Sequence, residues 1–131
     1  MNLLLDTHVA LWAIAAAGRL PTSISELIAD PSNEVTVSAV TIWEIAIKHS
    51  LARGRPSDMP ISGRHALGYF RQAGYLMLSV SAEHAAMVEE LPSLHADPFD
   101  RLLVAQAASQ PLRLITHDPI VAAYSDSIIS F

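Results

Sequence analysis

The feature that most restricts this chain is an alternation of short apolar runs with helical segments. Residues 2–5, 34–37, 75–80 and 112–116 have the leucine and β-branched content of buried strands, and residues 127–131 can add an edge strand. Between them lie segments with helical spacing: 7–17, closed by Gly18; 24–30, entered through a Thr or Ser cap after Pro21 and stopped by Pro31; and 39–52, capped by Ser38. A loop spans 54–63 and a helix 64–73. A further helix, capped by Ser81 and ended by Pro92, keeps Glu83 and Glu89 outside and has Ala82, Ala86 and Val88 among its apolar residues. Another helix begins within HADPFDRLLVAQAA, and Asp118-Pro119 opens a last helical turn. Strands that return through helices pair in parallel, so the pattern predicts an α/β sandwich with a short, mainly parallel central sheet flanked by helices. At 131 residues the chain has room for one core, which makes 1–131 a single domain.

Composition removes several classes of function. With 51% hydrophobic and 16% charged residues, the chain collapses rather than staying disordered. It has no run near the roughly 20 apolar residues that span a bilayer, and neither a membrane span nor a leader is expected. The absence of cysteine excludes disulfides, thiolate chemistry and cysteine-bound metals, and suits a reducing cytoplasm. A net charge of −5 argues against a protein that simply blankets phosphates. The charges are nonetheless segregated. Lys48, Arg53, Arg55, Arg64 and Arg71 face only Asp58 between residues 45 and 73, whereas residues 81–100 carry five acids and no Lys or Arg.

Four acids stand where chemistry and folding both claim them. Asp6 directly follows the LLL strand, at the carboxyl edge where open α/β sheets hold ligands, yet Asp6 or Thr7 also serves as a helix cap. Glu44 lies on a narrow Thr41–Glu44–Lys48 stripe of an otherwise apolar helix. It is either a surface ion pair with Lys48 or a carboxylate that needs a cation. In Asp97-Pro98-Phe99-Asp100, Asp97 reads as the cap and Asp100 as a second acid on the same face; like charges that close call for a cation between them. Asp118 repeats the device after the LIT strand. Collected at one sheet edge, these oxygen ligands describe a hard-cation site for magnesium or manganese. Asp6, Glu44, Asp97, Asp100 and Asp118 together account for the whole negative excess. His8, His49, His65, His84, His95 and His117 show no zinc spacing and read as structural or surface residues, with His8 and His117 nearest the acids; Trp12 and Trp43 read as core.

The strings LLLDTHVALW, VSAVTIWEIAIK, HADPFDRLLVAQA and LITHD, in this order and spanning nearly the whole chain, resemble PIN-domain ribonucleases, most closely the VapC-type toxins of bacterial toxin–antitoxin pairs. The resemblance implies a PIN-like three-layer fold and a metal-dependent endoribonuclease. Asp6, Glu44, Asp100 and Asp118 match the family's acidic positions, Thr116 matches a small hydroxyl residue beside the last, and Asp97 belongs to the HxDPFDR variant as a further candidate ligand. The chemistry implied is in-line phosphodiester hydrolysis with magnesium or manganese, with Lys48, Arg53, Arg55, Arg64 and Arg71 on the phosphates flanking the cut in single-stranded or loop RNA. A homodimer and a small antitoxin are the partners implied. Apolar Tyr69, Phe70, Tyr75, Leu76, Met77 and Leu78 are candidates for surface that another chain covers. Two rivals are a catalytically silent binding partner on the same fold and a phosphoacceptor receiver module. The latter needs paired acids after the first strand and a late lysine, whereas Asp6 stands alone and Lys48 is the only lysine.

Overall fold

In the computed structural model, which describes residues 1–131, strands β1 (Asn2–Leu5), β2 (Glu34–Ser38), β3 (Leu76–Leu78), β4 (Arg113–Thr116) and β5 (Ile129–Ser130) form one sheet in the order β3-β2-β1-β4-β5. Every neighbouring pair is parallel. The helices are α1 (Thr7–Ala15), α2 (Thr22–Ala29), α3 (Ala39–Ser50), α4 (Gly63–Gln72), α5 (Ala82–Met87), α6 (Pro98–Ser109) and α7 (Pro119–Ala122), with 3-10 turns at Ala17–Arg19 and Val88–Glu90.

The two-residue period of the strands divides the core. Leu3, Leu5, Val35, Val37 and Ile115 pack with Val9 and Ala10 of α1, Ile24 of α2, and Ala66 and Phe70 of α4. Leu4 and Leu114 point the other way, onto Leu103 and Val104 of α6 and Val121 of α7. Helices therefore cover both faces, and the sandwich has the three layers expected. Leu3, Leu4 and Leu5 are wholly buried, each worth about 1.5–3 kcal/mol of transfer free energy before the cost of ordering. Central β1 reads as continuous leucine for that reason.

Helix α4 shows how local chemistry sets the ends of an element. Ser62 Oγ accepts from His65 N at 3.1 Å at its start. At its end Gly74 takes φ +84°, Gly74 N donates to Arg71 O and Tyr75 N to Phe70 O, both at 3.0 Å, and the Tyr75 ring stacks on Phe70. This is a Schellman motif with its hydrophobic contact. Gly63 lets α4 approach α3 closely, since a Cβ there would lie 2.9 Å from the Ala46 Cβ.

Several expectations shift. Helix α1 ends at Ala15 instead of residue 17, because the chain turns at Ala16 into the 3-10 turn. Pro21, with no side-chain bond, holds the cap position of α2, and Thr22 and Ser23 lie inside the helix. Strand β3 is confined to three residues, since at the sheet edge it pairs only with β2. Helix α3 is not buried all round: Trp43, read as core, is 56% exposed and Ala46 is exposed too. Its ring packs edge-on against Phe99 at 5.0 Å. Trp12 is half-buried beside His117 and Phe131. In α5 the inward residue is His84, with Ala82 and Ala86 exposed, because His84 closes a capping box with Ser81 and meets Gln106. Of the six apolar residues proposed as surface, Phe70 is fully buried in the core and only Tyr69 and Leu76 are about half exposed.

Candidate metal centre

Strand β1 leaves the ladder where Asp6 N donates to Ile115 O at 3.1 Å, so the Asp6 side chain emerges at the carboxyl edge of the sheet. There Asp6 Oδ1 caps α1 by accepting from Val9 N at 2.9 Å, and Asp6 Oδ2 accepts from Thr116 Oγ1 at 2.5 Å. The cap and the edge acid are one carboxylate. Burial pushes Asp6 above its ordinary value, even though the Thr116 hydroxyl and the Val9 amide pull the other way. The same Thr116 hydroxyl accepts from Asp118 N at 3.0 Å, tying the end of β4 to the start of α7.

Glu44 resolves into both of its readings. Lys48 Nζ donates to Glu44 Oε2 at 2.6 Å, so the i,i+4 pair exists, but the Glu44 side chain is 4% exposed and that of Lys48 46%. Thr7 Oγ1 donates to Glu44 Oε1 at 2.6 Å from the α1 side. The carboxylate is thus an inner group with a solvated cation at its rear, and its charge raises both Asp6 and Asp100.

Asp97 caps α6, accepting from Phe99 N at 2.8 Å and Asp100 N at 3.3 Å. Asp100, three residues further along, is pushed up to about 7 by burial and then by the charges of Asp97 and Glu44, with Asp6 adding to them and His95 opposing. Asp118 caps α7 through Ile120 N at 2.8 Å. Burial raises Asp118, but the Ile120 amide and His95 outweigh it and its carboxyl lies below the ordinary value.

The expectation that His8 and His117 stand nearest the acids is corrected. His117 stacks on Phe131 and hydrogen-bonds its carbonyl, and His8 leans on Trp12, though its charge still lowers Asp6. The imidazole among the acids is His95, whose Nε2 lies 3.0 Å from Asp118 Oδ2 and 3.2 Å from Asp100 Oδ2. Its sequence signal was slight: it sits two residues before a helix-capping Asp and 23 before the aspartate it meets.

The basic residues divide. Lys48 and Arg55 line a groove of about 610 Å³ together with His8, Trp12, Arg19 and Met59. Arg19, missed from the sequence, lies 4.7 Å over the Trp12 ring. Arg55 is paired with Asp58, whose carboxylate also accepts from the Arg53 and Arg55 amides and is held below its ordinary value by them. Arg64 and Arg71 are exposed on α4, outside that groove. The donors at the sheet edge are carboxylate oxygens with one imidazole, and burial first, then the neighbouring acids, raise Asp6 and Asp100. That chemistry suits a hard divalent cation.

The PIN domain family model matches residues 3–126 of this chain. The chain belongs to the PIN-domain family. Among curated proteins this PIN domain is similar to Ribonuclease VapC22 of Mycobacterium tuberculosis, 31% identical over 117 residues that cover 89% of this chain and 87% of that protein. Its fold is similar to VapBC2 from Rickettsia felis, solved bound to a DNA fragment from its promoter, with a TM-score of 0.68 at 18% identity over 100% of this chain and 98% of that one. It is also similar to VapBC-5, of a toxin–antitoxin system of Mycobacterium tuberculosis, with a TM-score of 0.60 at 24% identity over 99% and 97%. No helix of this PIN domain is long and apolar enough to cross a membrane.

Proposed function

We propose that this PIN domain, acting as a single unit over residues 1–131, is a magnesium- or manganese-dependent endoribonuclease and the toxin of a toxin–antitoxin pair. One observation carries the reading: Asp6 at the end of β1 and Glu44 of α3 stand close enough to Asp100 of α6 to add to its rise to about 7, and Asp118, the cap of α7, joins Asp100 through His95. Likeness to a ribonuclease across most of the chain supports RNA as substrate, the toxin–antitoxin fold neighbours support an antitoxin partner, and the absence of cysteine suits the cytoplasm as the place of action.

Asp6, Glu44, Asp100 and Asp118 are the residues that hold the cation, with Asp97 chiefly the cap that orients Asp100. A bound divalent cation supplies the charge that lowers the pKa of an attacking water and offsets charge on the phosphate oxygens during in-line hydrolysis. The chain's own residues do the rest. Thr116 orients Asp6, Thr7 and Lys48 fix the two Glu44 oxygens, and the α1 and α7 caps keep Asp6 and Asp118 in place. Lys48, Arg53, Arg55, Arg64 and Arg71 remain the residues assigned to flanking phosphates, Lys48 and Arg55 the nearest to that task through their shared groove. A homodimer is the assembly we infer, supported by exposed Trp43, Tyr69 and Leu76; light scattering at micromolar concentration tests it.

The deciding experiment is cleavage of end-labelled single-stranded RNA by the purified protein with magnesium, with manganese and with excess chelator. Cleavage is expected only with a cation. Asp6→Asn and Asp100→Asn are each expected to lose more than the about 10- to 100-fold that removal of an outer-shell partner costs, without unfolding. Undiminished cleavage in chelator refutes the metal reading, and a folded protein that binds RNA without cutting it favours a silent binding partner.

A further inference from the structure

Hydrogen bonding places the ring hydrogen of His95. Its Nδ1 lies 3.0 Å from Asp97 N, and a peptide N–H can only donate, so Nδ1 presents a lone pair there. With the Nδ1 lone pair so engaged the ring hydrogen sits on Nε2, which donates it to Asp118 Oδ2 at 3.0 Å, while Asp100 Oδ2 lies 3.2 Å from the same nitrogen. A metal ligand needs the reverse, a lone pair on Nε2. The compact group of His95, Asp100 and Asp118, which by distance alone resembles a three-residue metal site, is therefore an imidazole N–H bonded to Asp118 with Asp100 beside it.

We propose that His95 is a positioning residue and not a metal ligand: an imidazole locked as the Nε2–H tautomer by the Asp97 amide, which bonds Asp118 and sets it beside Asp100. These two acids come from separate elements, and the Asp100 carboxylate accepts no hydrogen bond, so the His95 ring at 3.2 Å is the group that stands between it and Asp118. The ring is itself held. His95 N donates to Tyr124 Oη at 2.9 Å, and Arg101 Nη1 donates to the same oxygen at 3.1 Å and to Pro92 O at 3.0 Å. Arg101 Nη2 donates to Val88 O at 3.0 Å, so the guanidinium spends its fork on the segment that leads into His95 and forms no ion pair. The HADPFDR string thus divides its labour: Asp97 caps the helix and fixes the tautomer, Asp100 enters the site, and Arg101 pins the segment that carries the imidazole.

The role of the two carboxylates rests on the function proposed above, but the tautomer does not, and the test separates them. In metal-free, ¹⁵N-labelled full-length protein, long-range ¹H–¹⁵N spectra are expected to show His95 with a protonated Nε2 and a lone pair on Nδ1. After addition of Mn²⁺, pulsed EPR is expected to show no ¹⁴N coupling from a directly bound imidazole. His95→Ala is expected to weaken Mn²⁺ binding by about 10- to 100-fold, as loss of an outer-shell partner does. His95→Gln, whose amide N–H stands in for Nε2–H, is expected to recover most of it; should the alanine variant fail to fold, the glutamine variant and the spectra carry the test. An Nε2 without its hydrogen, a ¹⁴N coupling that vanishes with His95, or Mn²⁺ affinity unchanged in His95→Ala overturns the inference. A parent protein that binds no Mn²⁺ refutes the proposed function, while the metal-free spectra still decide the tautomer.

Discussion

Lys48 and Glu44 share one ion pair but not one environment, and the difference predicts an asymmetry. Removing Lys48 leaves a buried carboxylate with only the Thr7 hydroxyl, whereas removing the charge of Glu44 leaves a lysine that water can solvate. Lys48→Met is therefore expected to cost about 1–3 kcal/mol, the penalty for an unsatisfied buried group, and Glu44→Gln clearly less, both read from urea unfolding without metal. Glu44→Gln also removes one of the charges that raise Asp6 and Asp100. Its magnesium-dependent gain in melting temperature is expected to shrink for that reason. A gain equal to the parent's would take Glu44 out of the metal site.

Along α4 and the turn that ends it, three glycines are expected to respond to alanine with opposite signs. Gly68 lies in the helix with open space around it, so Gly68→Ala should stabilise by about 0.5–1 kcal/mol through lost freedom of the unfolded chain. Gly74 holds φ +84°, where a Cβ costs about 1–2 kcal/mol, and Gly74→Ala should destabilise by that amount. Gly63→Ala places a Cβ 2.9 Å from that of Ala46 and 3.2 Å from Ile42 O, forcing α3 and α4 apart. Its cost, about 1–3 kcal/mol as for overpacking, should be accompanied by weaker metal binding, because α3 carries Glu44. Urea midpoints of the three variants, with unchanged slopes, test all three signs.

Across the whole molecule, the acidic site couples stability to pH and to metal. Asp100 is raised from 3.8 to about 7 by burial and its acidic neighbours, so between those values the unfolded chain has lost a proton that the folded chain keeps. The contribution of Asp100 to stability is accordingly intact below about pH 4, declines as pH rises through 7, and is level above it. In metal-free protein, melting temperatures between pH 5 and 8 should fall less steeply for Asp100→Asn than for the parent. Cation binding displaces the proton, so magnesium affinity should rise with pH up to about 7 and then flatten, with calorimetry in buffers of different ionisation enthalpy reporting proton release below that point. Affinity independent of pH over this range would mean that Asp100 does not meet the metal.

Sequence alone determined whatever depends on near neighbours. The leucine run of β1, the acids placed immediately after β1 and β4, the Asp97-Pro98 and Asp118-Pro119 helix starts and the Ser38 cap all follow from contacts within a few residues, and each lies where local rules put it. The parallel direction of the strands was legible for the same reason, since helices separate them, while their order was not. Only the tertiary structure decided which face of α3 meets the core, because a helix apolar on nearly every side offers no periodicity to choose by, and Trp43 went outward. It alone decided that Glu44 is both paired and buried, and that His84 turns inward to Gln106 from 22 residues away. His95 is the sharpest case: its place among the acids depends on Asp118 at 23 residues' distance and on Tyr124 at 29, and no spacing rule reaches that far.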